Sequence, residues 1–198
     1  MIHADGGFIM RDLAMEIGNE REHFTVREMM KMALCVAFCC VSAFISFPLP
    51  FTPGLVTALT VALTVTALVL PPRLVFITVA SYVFLGAIGL PIYPGGVGGL
   101  GRILGPTGGF YLGWPFVCMI VSWLKGSKIN FRRYALVSVL AGVPLTYVGG
   151  LISMMLVMQV GLWQGLTMAV FPFIPGDIMK ALLAAFIAVR VNKMLEKR

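Results

Sequence analysis

The sequence predicts an all-α protein: an integral membrane bundle of six transmembrane helices with both termini cytoplasmic. Three observations carry that expectation. Of 198 residues, 59% are hydrophobic and only 12% are charged, whereas an average soluble domain carries about 25% charged residues. Mean hydropathy is +0.96, more apolar material than one small core can bury. Long stretches, Met32 to Pro72 and Tyr134 to Gly176, contain no charge at all. These features exclude a soluble enzyme, a disordered chain and a secreted disulfide scaffold. A span needs about 20 apolar residues, so the length holds roughly six or seven helices with short connections.

Each element follows from where charge, proline and glycine interrupt the apolar runs. Residues 1–26 form a polar tail of interspersed sign, including Asp5, Arg11, Asp12, Glu16 and Glu20. That pattern lacks the basic start and early apolar core of a signal peptide, so a cytoplasmic N-terminal tail is expected, with residues 27–198 forming the six-helix transmembrane domain. Helix 1 is expected over 27–47. Pro48, Pro50 and Pro53 end it in a tight turn, because proline cannot continue a helix. Helix 2 is expected over 54–70 and helix 3 over 73–90, before Pro91. A glycine-rich loop from Pro91 to Gly109 leads to helix 4 over 109–124. Helix 5 takes about 134–158, a loop runs from Trp163 to Pro175, and helix 6 takes about 173–192.

Net charge is +7. In a membrane protein such an excess marks cytoplasmic loops rather than nucleic-acid binding. With the N-terminus inside, 13 of the 15 Lys and Arg residues fall on cytoplasmic segments, leaving Arg102 and Lys180 toward the outside. The proline turn, the glycine-rich loop and the loop before helix 6 then face outward. Cys35, Cys39, Cys40 and Cys118 form no Cys-x-x-Cys pair and read as small buried hydrophobes. No metal site or cofactor is expected.

Ionisable groups inside a spanning segment are costly and mark function. Helix 6 holds two, Asp177 and Lys180, and a spacing of three puts them on one face. The bland alternative is structural: a carboxylate complementing the helix N-terminus, with Lys180 paired to it or snorkelling outward. Arg102 is the single charge in the glycine-rich loop. Glycine at that density allows close approach of backbone to a ligand. An Asp, a Lys and an Arg lining one pocket sum to +1, which suits a ligand with one carboxylate. An ionised Asp accepts hydrogen bonds only, which suits a ligand that presents N–H groups. Tyr93, Phe110, Tyr111, Trp114 and Trp163 are available to wall its apolar part. No Gly-x-x-x-x-Gly-Lys-Ser/Thr run occurs, so ATP is not bound by that device. On helix 1, Ala33 and Ala37 lie one turn apart, a spacing that lets another membrane helix approach closely.

Three stretches resemble a known family. They are Leu85-Gly86-Ala87-Ile88-Gly89-Leu90-Pro91, then Gly95-Gly96-Val97-Gly98-Gly99-Leu100, then Leu104-Gly105-Pro106-Thr107-Gly108-Gly109-Phe110. Together with Phe173-Ile174-Pro175-Gly176-Asp177-x-x-Lys180, they are similar to the signature of the BioY family, the biotin-binding S components of energy-coupling-factor (ECF) transporters. The resemblance implies capture of biotin on the extracellular side for ATP-driven uptake. It implies Asp177 and Lys180 as ligand contacts and a capping loop that contributes Gly98, Gly99 and Gly108. Arg102 and Tyr111 join that set on charge and position. The resemblance also implies docking of Ala33 and Ala37 on a transmembrane coupling subunit, with two ATPase subunits completing the module. The expected location is the cell membrane of a bacterium or archaeon, as a multi-pass protein in the lipid bilayer. The sequence departs from the family pattern at Leu55, Leu59 and Val97. Alternatives are an S component for another small vitamin, a small intramembrane enzyme, or a structural, lipid-interacting protein. Against the enzyme, no Ser/His pair or His/Glu metal set accompanies the intramembrane acid. The structural protein leaves Asp177 and Lys180 unexplained.

Overall fold

A computed structural model describes residues 24–48, 50 and 52–196. The expected tail therefore lies almost wholly outside the described residues, as do His3 and His23. By compactness the chain divides into Met1–Met30 and Lys31–Arg198. Of the first unit, the described part is the start of helix α1 (Val26–Phe44). Its first turn is fixed by a capping box. Thr25 Oγ1 accepts from the Glu28 amide, and Glu28 Oε2 accepts from the Thr25 amide at 3.0 Å, so two orphan donors are satisfied reciprocally.

The second unit is almost entirely helical. After α1 come α2 (Leu59–Val69), α3 (Pro72–Ala87), the short α4 (Leu100–Ile103) and α5 (Gly108–Leu124). Then follow α6 (Phe131–Val137), a π-turn (Ser138–Gly142), α7 (Val143–Met158), α8 (Leu162–Ala169) and α9 (Ile174–Glu196). The α6–π–α7 rod spans 28 residues and is long and apolar enough to cross a bilayer. Helices α8 and α9 are bent by 49° relative to each other. The apolar helices α2, α3 and α5 are shorter, at 11, 16 and 17 residues.

Helix α2 is the central element. Its sequence is apolar or Thr at every position, and it is buried on all sides, as an all-round apolar helix must be. Helix α9 packs on it through Ala181, Ala184, Ala185 and Ala188, small residues that let the two backbones come close. The main core joins α2, α3 and α5 with Cys39 and Ala43 of α1. All four cysteines are free thiols.

Several boundaries differ from expectation for identifiable reasons. Helix α1 stops at Phe44 because the chain turns extended ahead of Pro48. The proline segment is a hairpin rather than a simple turn: β1 (Ser46–Pro48) pairs antiparallel with β2 (Leu55–Thr57). Pro48 is tolerated there because a two-stranded ribbon has only edges. Helix 2 therefore begins at Leu59 rather than 54. Helix α3 ends at Ala87, and Gly89 follows with φ 111°, a left-handed position that suits glycine after a helix. The glycine-rich loop contains the four-residue α4. The expected loop from Trp163 largely folds as α8, which Gln159 (φ 55°) separates from α7. In the α6–π–α7 rod, Pro144 has no amide to donate to residue 140. The ladder widens just ahead of it, and the Val143 amide bonds the Ser138 carbonyl.

Candidate functional site

The site begins with Asp177 in the first turn of α9, placed there by Pro172 and Pro175 on either side of the helix start. A carboxylate near a helix N-terminus is stabilised by the macrodipole. Two side chains fix it. Lys180 Nζ donates to Asp177 Oδ1 at 2.9 Å, and Tyr147 Oη of α7 donates to Asp177 Oδ2 at 2.7 Å. Both members of the ion pair are largely buried, with side-chain exposures of 18% for Lys180 and 14% for Asp177. The spacing of three puts the two on one face, as expected, and they meet in the pairing that the structural alternative also allows.

These groups form one wall of a cavity. The hairpin supplies Leu55 and Thr57, α4 supplies Arg102, α5 supplies Tyr111 and Trp114, and α9 supplies Asp177 and Lys180. Four of the expected site residues, Asp177, Lys180, Arg102 and Tyr111, are therefore brought together. Tyr111 stacks against Tyr93 at 4.3 Å and Trp114 at 4.8 Å between ring centroids. Of the other aromatics, Phe110 also lines the cavity. Trp163 does not; it is 73% exposed and packs on Phe171.

Gly98, Gly99 and Gly108 do not line the cavity. They shape the segment that covers it. A Cβ on Gly98 would sit 2.2 Å from the Leu90 carbonyl oxygen, and one on Gly108 would sit 1.7 Å from that of Ile103. Gly99 has φ 96°, and its amide bonds the Gly86 carbonyl at 2.7 Å. The cover is clamped to α3 by two tyrosines. Tyr82 Oη donates to the Ile92 carbonyl at 2.9 Å, and Tyr93 Oη donates to the Val83 carbonyl. On the opposite rim, Thr52 Oγ1 donates to the Met168 carbonyl at 2.6 Å and ties the hairpin to α8.

The contact that sequence reasoning missed is Tyr147. Its signal was faint but real: a phenol in a charge-free stretch requires a hydrogen-bond partner once buried. Ala33 and Ala37 are both exposed on α1, among the exposed apolar residues Leu34, Phe38 and Val41. At the other end of the bundle, Lys125 lies just beyond α5. Its Nζ donates to the carbonyls of Ala67 (3.1 Å) and Leu70. Burial pushes its pKa down to about 8. Among the described residues, no group of three His, Cys, Asp or Glu side chains comes together to hold a metal.

The match to the BioY family covers residues 16–197. The chain belongs to that family. A relative in Pyrococcus horikoshii, "Probable biotin transporter BioY", is 35% identical over 166 residues, covering 84% of this chain and 96% of its own. "Biotin transporter BioY" of Thermotoga maritima is 31% identical over 173 residues, covering 87% of this chain and 100% of its own. The fold is similar to a solved structure described as the S-component for biotin from an ECF-type ABC transporter. The TM-score is 0.79 at 27% identity, over 86% of this chain and 95% of the other.

Proposed function

We infer that the chain is the biotin-binding S component of an ECF-type transporter, a transport subunit rather than an enzyme. One observation carries the reading: a hydrogen-bonded Asp177–Lys180 pair forms the wall of an aromatic-lined cavity in a member of the BioY family. Biotin offers two N–H donors, a carbonyl, a thioether ring and a carboxylate. Asp177 accepts from N–H groups, Lys180 and Arg102 supply positive charge, and Phe110, Tyr111 and Trp114 face the apolar ring. No cofactor takes part.

The chain spans the plasma membrane several times. Its six spans are α1, α2, α3, α5, the α6–α7 rod and α9, with both termini cytoplasmic. The support is charge placement: 13 of 15 Lys and Arg residues fall on one side, as cytoplasmic loops require. Biotin enters from the outer side, beneath the glycine-rich cover. Ala33 and Ala37 dock a transmembrane coupling subunit, and two ATPase subunits drive uptake.

The test is titration of the purified protein with biotin while tryptophan fluorescence is followed, since Trp114 lines the cavity. A saturable response to biotin, with none to thiamine or riboflavin, is expected. An equal response to all three would replace biotin by another vitamin.

A further inference from the structure

Beneath the site lies a second cavity that shares Trp114, Asp177 and Lys180 with the first. It descends along α2 and α5 to Ala67, Val121 and Ser138. The ion pair thus borders both cavities. Two buried side-chain atoms lack a hydrogen-bond partner among the described residues: Trp114 Nε1 and Ser138 Oγ. Both residues line this lower chamber, and they are 6% and 2% exposed. Leaving such groups unsatisfied costs about 1–3 kcal/mol each, so each demands a partner.

Ser138 differs from three other helical hydroxyls, those of buried Thr78 and half-buried Thr64 and Thr146. Thr64, Thr78 and Thr146 each donate back to the carbonyl four residues earlier, at 2.8, 2.6 and 2.8 Å. Ser138 makes no such bond. It opens the π-turn, a departure from α-geometry that recurs at functional positions. Its hydroxyl stays available to the chamber. Trp114 has only a donor to offer, so its partner must be an acceptor.

We propose that the lower chamber is a water-binding site, anchored by Trp114 Nε1 and Ser138 Oγ, that solvates the Asp177–Lys180 pair from its inner side. The chamber has room for roughly three to five water molecules. A buried water typically makes about three hydrogen bonds. The Lys180 ammonium and the oxygens of Thr60, Thr64 and Thr146 supply the remaining partners on the same walls. The consequence is energetic. A ligand that fills the upper cavity strips water from one side of a buried ion pair, which is expensive. The chamber keeps the other side hydrated.

Radiolytic hydroxyl labelling of the full chain in lipid nanodiscs tests this, because radicals formed from bound water mark the side chains beside it. Trp114 is expected to be modified at a rate comparable with the exposed Trp163, although it is buried. Tyr82, which is 0% exposed and outside both cavities, is the dry control. Ser138→Val is expected to cut labelling of Cys118, which lines only the lower chamber. Cys118 labelled no more than Tyr82 in the unmodified chain, or unaffected by Ser138→Val, would overturn the proposal. The labelling needs no ligand, so its failure is distinct from a failure to bind biotin.

Discussion

Tyr147 of α7 donates its hydroxyl to Oδ2 of Asp177 on α9 across 2.7 Å, while Lys180 holds Oδ1 at 2.9 Å. The carboxylate is thus oriented by two helices before any ligand arrives. Tyr147→Phe removes one anchor and leaves the ring in place. A hydrogen bond to a charged group contributes about 1.5–3 kcal/mol, so biotin binding should weaken roughly tenfold. Fluorescence titration measures it, and an unchanged affinity would show that the phenol only packs.

Asp177→Asn keeps the shape and removes the charge. Biotin binding should fall by roughly tenfold or more, with the melting temperature little changed. Lys180→Met leaves Asp177 without its cation and should melt lower than the parent. The double variant Asp177→Asn/Lys180→Met should recover part of that loss, because an uncompensated buried charge costs more than none. Thermal melts of the three variants give the order.

The cover over the site should not tolerate a Cβ at Gly98. On Gly98 the added carbon meets the Leu90 carbonyl at 2.2 Å, which is backbone and cannot step aside. Gly98→Ala should cost about 1–3 kcal/mol and speed biotin release, read by stopped-flow fluorescence. Gly101→Ala, with nothing within 4 Å of its Cβ, is the matched control.

Bulky side chains at Ala33 or Ala37 should spare biotin binding and abolish uptake in cells that carry the coupling and ATPase subunits. Both positions are exposed on α1. Loss of binding by the purified variant would make that face part of the internal packing instead.

Lys125 predicts a pH dependence. Burial lowers its folded pKa to about 8, below the ordinary 10.5. Between those values the unfolded chain binds more protons, so the stability contributed by this group rises with pH across that window. Below about pH 8 both states are protonated and its contribution is flat. The melting temperature of the parent relative to Lys125→Met should therefore climb between pH 8 and 10.

Charge made half the site legible in the sequence. Asp177, Lys180 and Arg102 stand out because ionisable groups in apolar segments are rare, and all three line the cavity. Tyr147 did not stand out, since a tyrosine in an apolar run carries no charge, and its partner lies 30 residues away. The helix pattern was readable where prolines and charges bounded it. The hairpin was not, because strands of three residues are too short to show alternation. Helix α8 was hidden by the glycines and prolines around it, although its own residues form a helix well enough once Gln159 turns the chain. The glycines of the cover were visible as a motif. Their work, close packing on Leu90 and Ile103, was not, because it depends on contacts made in space.

The inner end of the bundle has a further consequence. Ser122 and Lys125 both donate to the Leu70 carbonyl, and Asn192 donates to the Leu68 carbonyl at 2.9 Å. Lys125 also grips the Ala67 carbonyl, at the foot of the lower chamber. Three helices are bolted together there by side chains that grip backbone carbonyls at the end of α2. Prising the helices apart at this end would break four hydrogen bonds together, so they move there as one body or not at all.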